Sequence, residues 1–206
     1  MAGAPAPWAG VPSAARRGLT LERVRAALAT PVDLGQRAAT DDARRHSAVL
    51  AALFEEDGES RVVLTRRAAT LRSHTSEVAF PGGRVEQGEA FAAAALREAW
   101  EEVRLDPASV TVIGELTPML TYTSSSFVNP YVGVLPGRPE LRANPTEVEV
   151  VFDVALADLL ADGVYRAEQW GLDEERELHF FALPGDMVWG ATGRLLVELL
   201  VKVMAA

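Results

Sequence analysis

Apolar and polar positions along the chain change period several times, and each change marks an element. His46–Phe54 (HSAVLAALF) is an apolar run of strand length. Glu55–Ser60 is an acidic turn holding Asp57-Gly58, a hairpin signal, and Arg61–Arg66 is the returning strand. A run with few helix breakers predicts a helix from about Glu89 to about Val103, rich in Ala, Leu, Arg and Glu. At 100° per residue, Glu98, Glu101 and Glu102 share one arc, while Ala92, Leu96, Ala99, Trp100 and Val103 fall on the opposite arc, the expected buried stripe. Asp106-Pro107 stops this helix.

On the amino-terminal side, residues 1–18 are rich in Pro, Ala and Gly and read as a loose arm. Leu19–Ala29 looks helical, with Thr20 as N-cap. Beyond the central helix, Val110–Leu120 and Phe127–Leu135 read as strands, and Glu147–Phe152 as another. Val154–Leu160 is a short helix, and Tyr165–Trp170 with Glu177–Phe181 a hairpin. Ala191–Met204 is the last, amphipathic helix. This order predicts an α/β fold with α/β/α layers around a mixed sheet, in one domain spanning 19–206.

Composition narrows the chemistry. Cysteine is absent, which excludes disulfides, thiol catalysis and Cys-ligated zinc. The three histidines are far apart, with no HExxH spacing. A formal net charge of −9 argues against nucleic-acid binding through a basic surface. No stretch approaches the roughly 20 apolar residues that span a membrane, and no signal-peptide core opens the chain, so a cytoplasmic protein is expected.

Three carboxylates on one helix face repel each other, and a divalent metal offsets that cost better than Arg97 alone. Mg²⁺ takes oxygen ligands and shares its sites with substrate phosphates. The competing reading is a solvated acidic face. A second group lies just before the helix: Arg66, Arg67, Arg72 and Arg84 fall within 19 residues of one another. Arginine binds phosphate oxygens bidentately, although surface arginines are often merely solvated. Pro81-Gly82-Gly83 permits close backbone approach to a ligand or serves as an ordinary tight turn. His74, on a loop, reads more readily as exposed than as a phosphate contact.

The spacing Gly83, Glu89, Arg97-Glu98-Ala99-Trp100-Glu101-Glu102 resembles the Nudix box, the signature of hydrolases that cleave nucleoside diphosphates linked to another group. Six of its seven fixed positions match; Arg104 stands where the pattern has a second glycine, so the helix must end differently or run further. VLTRRAATLRSHTSEVAFPGG (Val63–Gly83) resembles the additional signature of the coenzyme A pyrophosphatase branch, with Ser76 in place of a glycine. The segments at Ser125–Gly133, Asn144–Phe152 and Trp189–Thr192 resemble further parts of that branch, with Ser126 again replacing glycine.

The resemblance implies Mg²⁺- or Mn²⁺-dependent hydrolysis of coenzyme A or a derivative to adenosine 3′,5′-bisphosphate and 4′-phosphopantetheine. Glu98, Glu101 and Glu102, with the Gly83 carbonyl, would hold metal. Arg97 would orient a glutamate, and Glu89 would support the helix start or bind further metal. The general base stays open among Glu102, Glu147 and Glu149. Arg66, Arg67, Arg72, Phe80, Gly82 and Arg84 are the expected substrate contacts. Another nucleoside diphosphate derivative (ADP-ribose, a dinucleotide, an oxidised nucleotide) and a non-catalytic nucleotide-binding module are the alternatives. The implied partner is a small nucleotide-type molecule, with no nucleic acid and no membrane; relatives often pair, so a homodimer is possible.

Overall fold

A computed structural model describes residues 3–28, 45–68, 77–121, 126–171 and 176–206. Arg72, His74 and Ser76 lie outside the described residues, as do residues 172–175.

Two long strands, β1 (Arg45–Glu56) and β2 (Glu59–Arg67), form the predicted hairpin, joined by Asp57-Gly58. Both turn residues take positive φ, 53° and 75°. That is the left-handed geometry a two-residue hairpin turn needs to match strand twist. Short β3 (Val78–Ala79) pairs with β2, and β4 (Gly82–Arg84) pairs with β1 antiparallel. Helix α1 (Leu21–Ala27) precedes this sheet and α2 (Phe91–Val103) follows β4. Thr20 caps α1 as expected, accepting from the Arg23 N–H.

The stretch predicted as one strand from Val110 is two, β5 (Thr111–Glu115) and β6 (Met119–Leu120), separated at Pro118, which has no N–H for a ladder. Strand β7 (Ser126–Val134) pairs with both and runs parallel to β1 at the sheet centre; β8 (Val148–Ala155) pairs with β2. After α3 (Leu156–Leu159), strands β9 (Tyr165–Trp170), β10 (Arg176–Leu183) and β11 (Asp186–Val188) make a separate antiparallel sheet. Helix α4 (Gly190–Ala205) closes the chain.

Alternation along β1 explains the layers. Ala48, Leu50, Ala52 and Phe54 face one core with Ala94, Ala95, Ala99 and Val103 of α2. Ala51 and Leu53 face the other, with Val24 of α1, Leu156 of α3 and Leu196, Leu199 and Leu200 of α4. A strand buried on both faces reads as a continuous apolar run, which HSAVLAALF does. Among the described residues no helix is long and apolar enough to cross a membrane.

Three expectations change. The amino-terminal stretch is not loose: Trp8 is 3% exposed and packs against Tyr165 and Phe181. The Arg16 guanidinium donates to the Leu160 carbonyl and to Asp162. Trp100 is not core; it is 43% exposed, with the Arg104 guanidinium 5.4 Å from its ring. The buried stripe of α2 is turned towards the acidic side and runs through Phe91, Ala95, Ala99 and Glu102. Finally, α2 neither runs on nor ends by another device. Arg104 itself takes the left-handed cap, φ 60° and ψ 28°, and its N–H closes onto the Ala99 and Trp100 carbonyls.

If the first residues are a structural strap, Trp8→Ala will lower the unfolding free energy by about 3–5 kcal/mol, the cost of emptying a large buried aromatic site. Denaturant titration checks this, and a loose arm would give no change.

Candidate functional site

The site begins at the turn Pro81-Gly82-Gly83. Gly82 opposes Val49 in the ladder with φ 156°, and a Cβ there would strike the Ala48 carbonyl and Val49. A Cβ on Gly83 would strike the Glu98 carboxylate. Both glycines are therefore needed for β4 to lie this close to β1 and to α2.

Glu102, although charged, is only 3% exposed. One carboxylate oxygen accepts the Gly82 N–H at 3.0 Å and the other lies 3.6 Å from the Arg67 guanidinium. Burial pushes its carboxyl up to about 7, with Glu98 and Glu147 adding to the shift and the Gly82 N–H and Arg67 opposing it. Glu98 is also raised, chiefly by burial, against the Arg97 guanidinium 2.9 Å away. Glu101 behaves differently: it is exposed and meets Arg97 at 3.2 Å.

Arg97 is the hub. It grips Glu89 with two bonds of 2.8 and 2.9 Å, reaches Glu98 and Glu101, and donates to the Arg84 carbonyl. This ties the helix face to the preceding loop and to β4. The hydrogen bonds from Arg97 hold Glu89 below the usual carboxylate range. Downstream, the Arg142 and Asn144 N–H groups bind the Val103 and Glu102 carbonyls at the end of α2. Those bonds satisfy helix carbonyls that would otherwise be orphaned. They also bring Glu147 close enough to act electrostatically on both Glu98 and Glu102. The Asn144 N–H, bonded to the Glu102 carbonyl, is a contributor that sequence reasoning did not single out. Its signal in the sequence was its place at the head of the Asn144–Phe152 segment.

The structure divides the arginine cluster. Arg66 faces the other way and clamps the two sheets together through Asp186, at 3.0 and 3.1 Å, and Glu149. Arg66, an expected substrate contact, is thus engaged by carboxylates on both sheets. Arg67 stays at the site, and its buried Nε–H has no acceptor among the described residues. Arg84 is exposed beside it, and Phe80 is buried beneath the turn. Glu149 is drawn off by Arg66. Ser126 is accommodated without conflict: its hydroxyl bonds Ser47 at 2.7 Å and donates to the Arg45 carbonyl.

A groove of about 1290 Å³ opens over the turn, lined there by Arg67, Phe80, Gly82, Gly83 and Arg84. Neither this groove nor a cleft of about 510 Å³ near Arg104 and Arg138 is lined by Glu98, Glu101 or Glu102 themselves; the groove meets them through the Gly82-Gly83 turn. Among the described residues no three acidic or imidazole groups converge into a ready-made metal cage. The donor set nonetheless suits a hard dication: burial raises the proton affinity of both Glu98 and Glu102, Glu98 adds to the shift at Glu102, and only the lack of a Cβ at Gly83 leaves room beside Glu98.

This constellation sits on a mixed sheet with helices on both faces, and comparison with known proteins identifies its class as a hydrolase. The family model for the NUDIX domain matches residues 44–173. The chain is 36% identical over 160 residues to "Uncharacterized Nudix hydrolase NudL" of Photorhabdus laumondii, covering 77% of this chain and 84% of that protein. It is 39% identical to "Nudix hydrolase 22, chloroplastic" of Arabidopsis thaliana, over 75% of this chain and 54% of that one, so it spans about half the length of the plant relative. Among solved structures, a MutT/nudix family protein from Enterococcus faecalis superposes with a TM-score of 0.56 at 16% identity, over 82% of this chain and 66% of that one, a likeness of fold. The chain belongs to the Nudix hydrolase family, enzymes that act on diphosphate bonds and generally use divalent metals.

The raised carboxyl of Glu102 has a stability consequence in metal-free protein. A carboxyl whose folded pKa exceeds its unfolded one favours folding fully below the unfolded value, and that benefit is lost as pH rises through about 7. Glu102→Gln should therefore raise the stability of metal-free protein at pH 8 by on the order of 2 kcal/mol, and change it little at pH 4. Thermal unfolding at the two pH values checks this.

Proposed function

We propose that this Nudix hydrolase cleaves the diphosphate of coenzyme A or one of its derivatives, giving adenosine 3′,5′-bisphosphate and 4′-phosphopantetheine. The observation that carries the proposal is the packing of half-buried Glu98 and buried Glu102 against the Gly82-Gly83 turn, whose glycines line one large groove. The sequence likeness of Val63–Gly83 and of Trp189–Thr192 to the coenzyme A pyrophosphatase branch supports the choice of substrate.

Glu98, Glu102 and the Gly83 carbonyl would hold Mg²⁺ or Mn²⁺, with Glu101 at the solvent edge. When bound, such a cation neutralises charge developing on the diphosphate. Arg67, with its free Nε–H, and Arg84 bind phosphate oxygens and hold the anhydride in place. Arg72 belongs to the same proposed set. Arg97 fixes the carboxylate of Glu98 through its bonds to Glu89. A carboxylate oxygen of Glu147 takes the proton of the attacking water. We favour Glu147 over Glu149, which Arg66 engages, and over Glu102, whose oxygens are already held by Gly82 and Arg67. The water oxygen bonds to one phosphorus as the bridging P–O bond breaks, and positioning with electrostatics supplies most of the acceleration.

Glu98→Gln and Glu102→Gln should each lower kcat at least 100-fold with Mg²⁺, with unchanged circular dichroism. Wild-type turnover in either variant removes that residue from the mechanism. A panel of coenzyme A, acyl-coenzyme A, ADP-ribose and diadenosine polyphosphates should give the highest kcat/KM for a coenzyme A species. A higher value for ADP-ribose or a dinucleotide would reassign the substrate.

A further inference from the structure

The groove has a second end, which the chemistry at Glu98 and Glu102 does not use. It is lined there by Trp189, Thr192 and Arg194, at the start of α4. We infer that the first turn of α4 binds a second phosphate of the substrate, one outside the cleaved diphosphate, such as the 3′-phosphate of a nucleotide. This rests on the coenzyme A reading and sharpens it.

Four observations meet at this turn. Helix α4 is 16 residues long, no side chain caps its amino terminus, and its first turn carries no acidic residue. Its leading N–H groups and dipole therefore favour an anion. Thr192 is 9% exposed and lines the groove, and its hydroxyl makes no hydrogen bond among the described residues. In a side chain this covered, the one open direction is the groove, and the hydroxyl is free to donate to an oxygen there. The Arg194 guanidinium has no carboxylate within ion-pair distance among the described residues, on a chain of net charge −9. The turn is also rigid: Gly190 takes φ 62°, and Gly193 packs so tightly on the His179 carbonyl that a Cβ would collide with it.

The surroundings fit a nucleotide. Trp189 lies parallel to Phe180, 6.2 Å between ring centres and 4° between planes, and offers a flat apolar wall for a base. Glu177 also lines the groove, but its carboxylate accepts the Ala4 N–H at 3.0 Å. At about 1290 Å³ the groove exceeds the roughly 300–1,000 Å³ of an ordinary small-molecule pocket. It has room for a ligand with phosphates at two separate points.

Steady-state kinetics on the full chain with saturating Mg²⁺ tests this, comparing coenzyme A with its 3′-dephospho form. Wild-type enzyme should prefer coenzyme A at least tenfold in kcat/KM, mainly through KM. Thr192→Val and Arg194→Ala should bring the ratio towards one without changing kcat/KM for the dephospho form, and Arg194→Lys should keep part of the preference. Equal use of both substrates by wild type, or an equal loss for both in the variants, overturns the inference while leaving the coenzyme A reading intact. Cleavage of neither substrate, with turnover of another diphosphate on the panel, overturns both.

Discussion

The contact between the Gly82-Gly83 turn and the carboxylates of Glu98 and Glu102 is the constraint from which the rest of the site follows. No side chain fits at either glycine, and Glu102 is buried under a backbone N–H. Antiparallel pairing of Gly82–Arg84 with Ser47–Val49 fixes the turn, and the alanine-rich face of α2 lets the helix sit low on the same strand. Small residues on that face thus matter as much as the acids. Ala94, Ala95 and Ala99 leave space that larger side chains would fill, and this lets α2 bring its carboxylates against the Gly82-Gly83 turn.

Burying two like charges at this spot is costly without a compensating cation, and the fold supplies only part of one. Arg97 is committed to four acceptors across the loop, β4 and the helix. Arg67 stands 3.6 Å from Glu102, beyond the 2.7–2.9 Å typical of a charge-assisted bond. The remaining deficit appears as raised proton affinity at both acids. A site tuned to gain a dication and a polyanion together is expected to be poorly neutralised by its own side chains.

Much of this was legible from spacing. The hairpin at Asp57-Gly58, the helix carrying Glu98 and Glu102, and the mixed sheet with helices on both faces all follow from period and turn chemistry. The misreadings have a common source. Trp100 reads as core because it falls on the arc opposite the carboxylates, yet it stands exposed beside Arg104, while the charged Glu102 is buried because the turn above it provides a donor. Arg66 and Arg67 are adjacent in sequence, but strand alternation sends them to opposite faces, one to Asp186 and one to Glu102. Composition made residues 1–18 look loose, and one tryptophan and one arginine pin them down. The left-handed cap at Arg104 follows a rule that glycine usually satisfies and that arginine here satisfies at a cost of about 1–2 kcal/mol.

Diffraction at the manganese edge from crystals soaked in Mn²⁺ tests the central claim most directly. The account predicts an anomalous peak bounded by oxygens of Glu98 and Glu102 and by the Gly83 carbonyl. A fully soaked crystal with no peak there, and with the two carboxylates turned apart into bulk water, would contradict it.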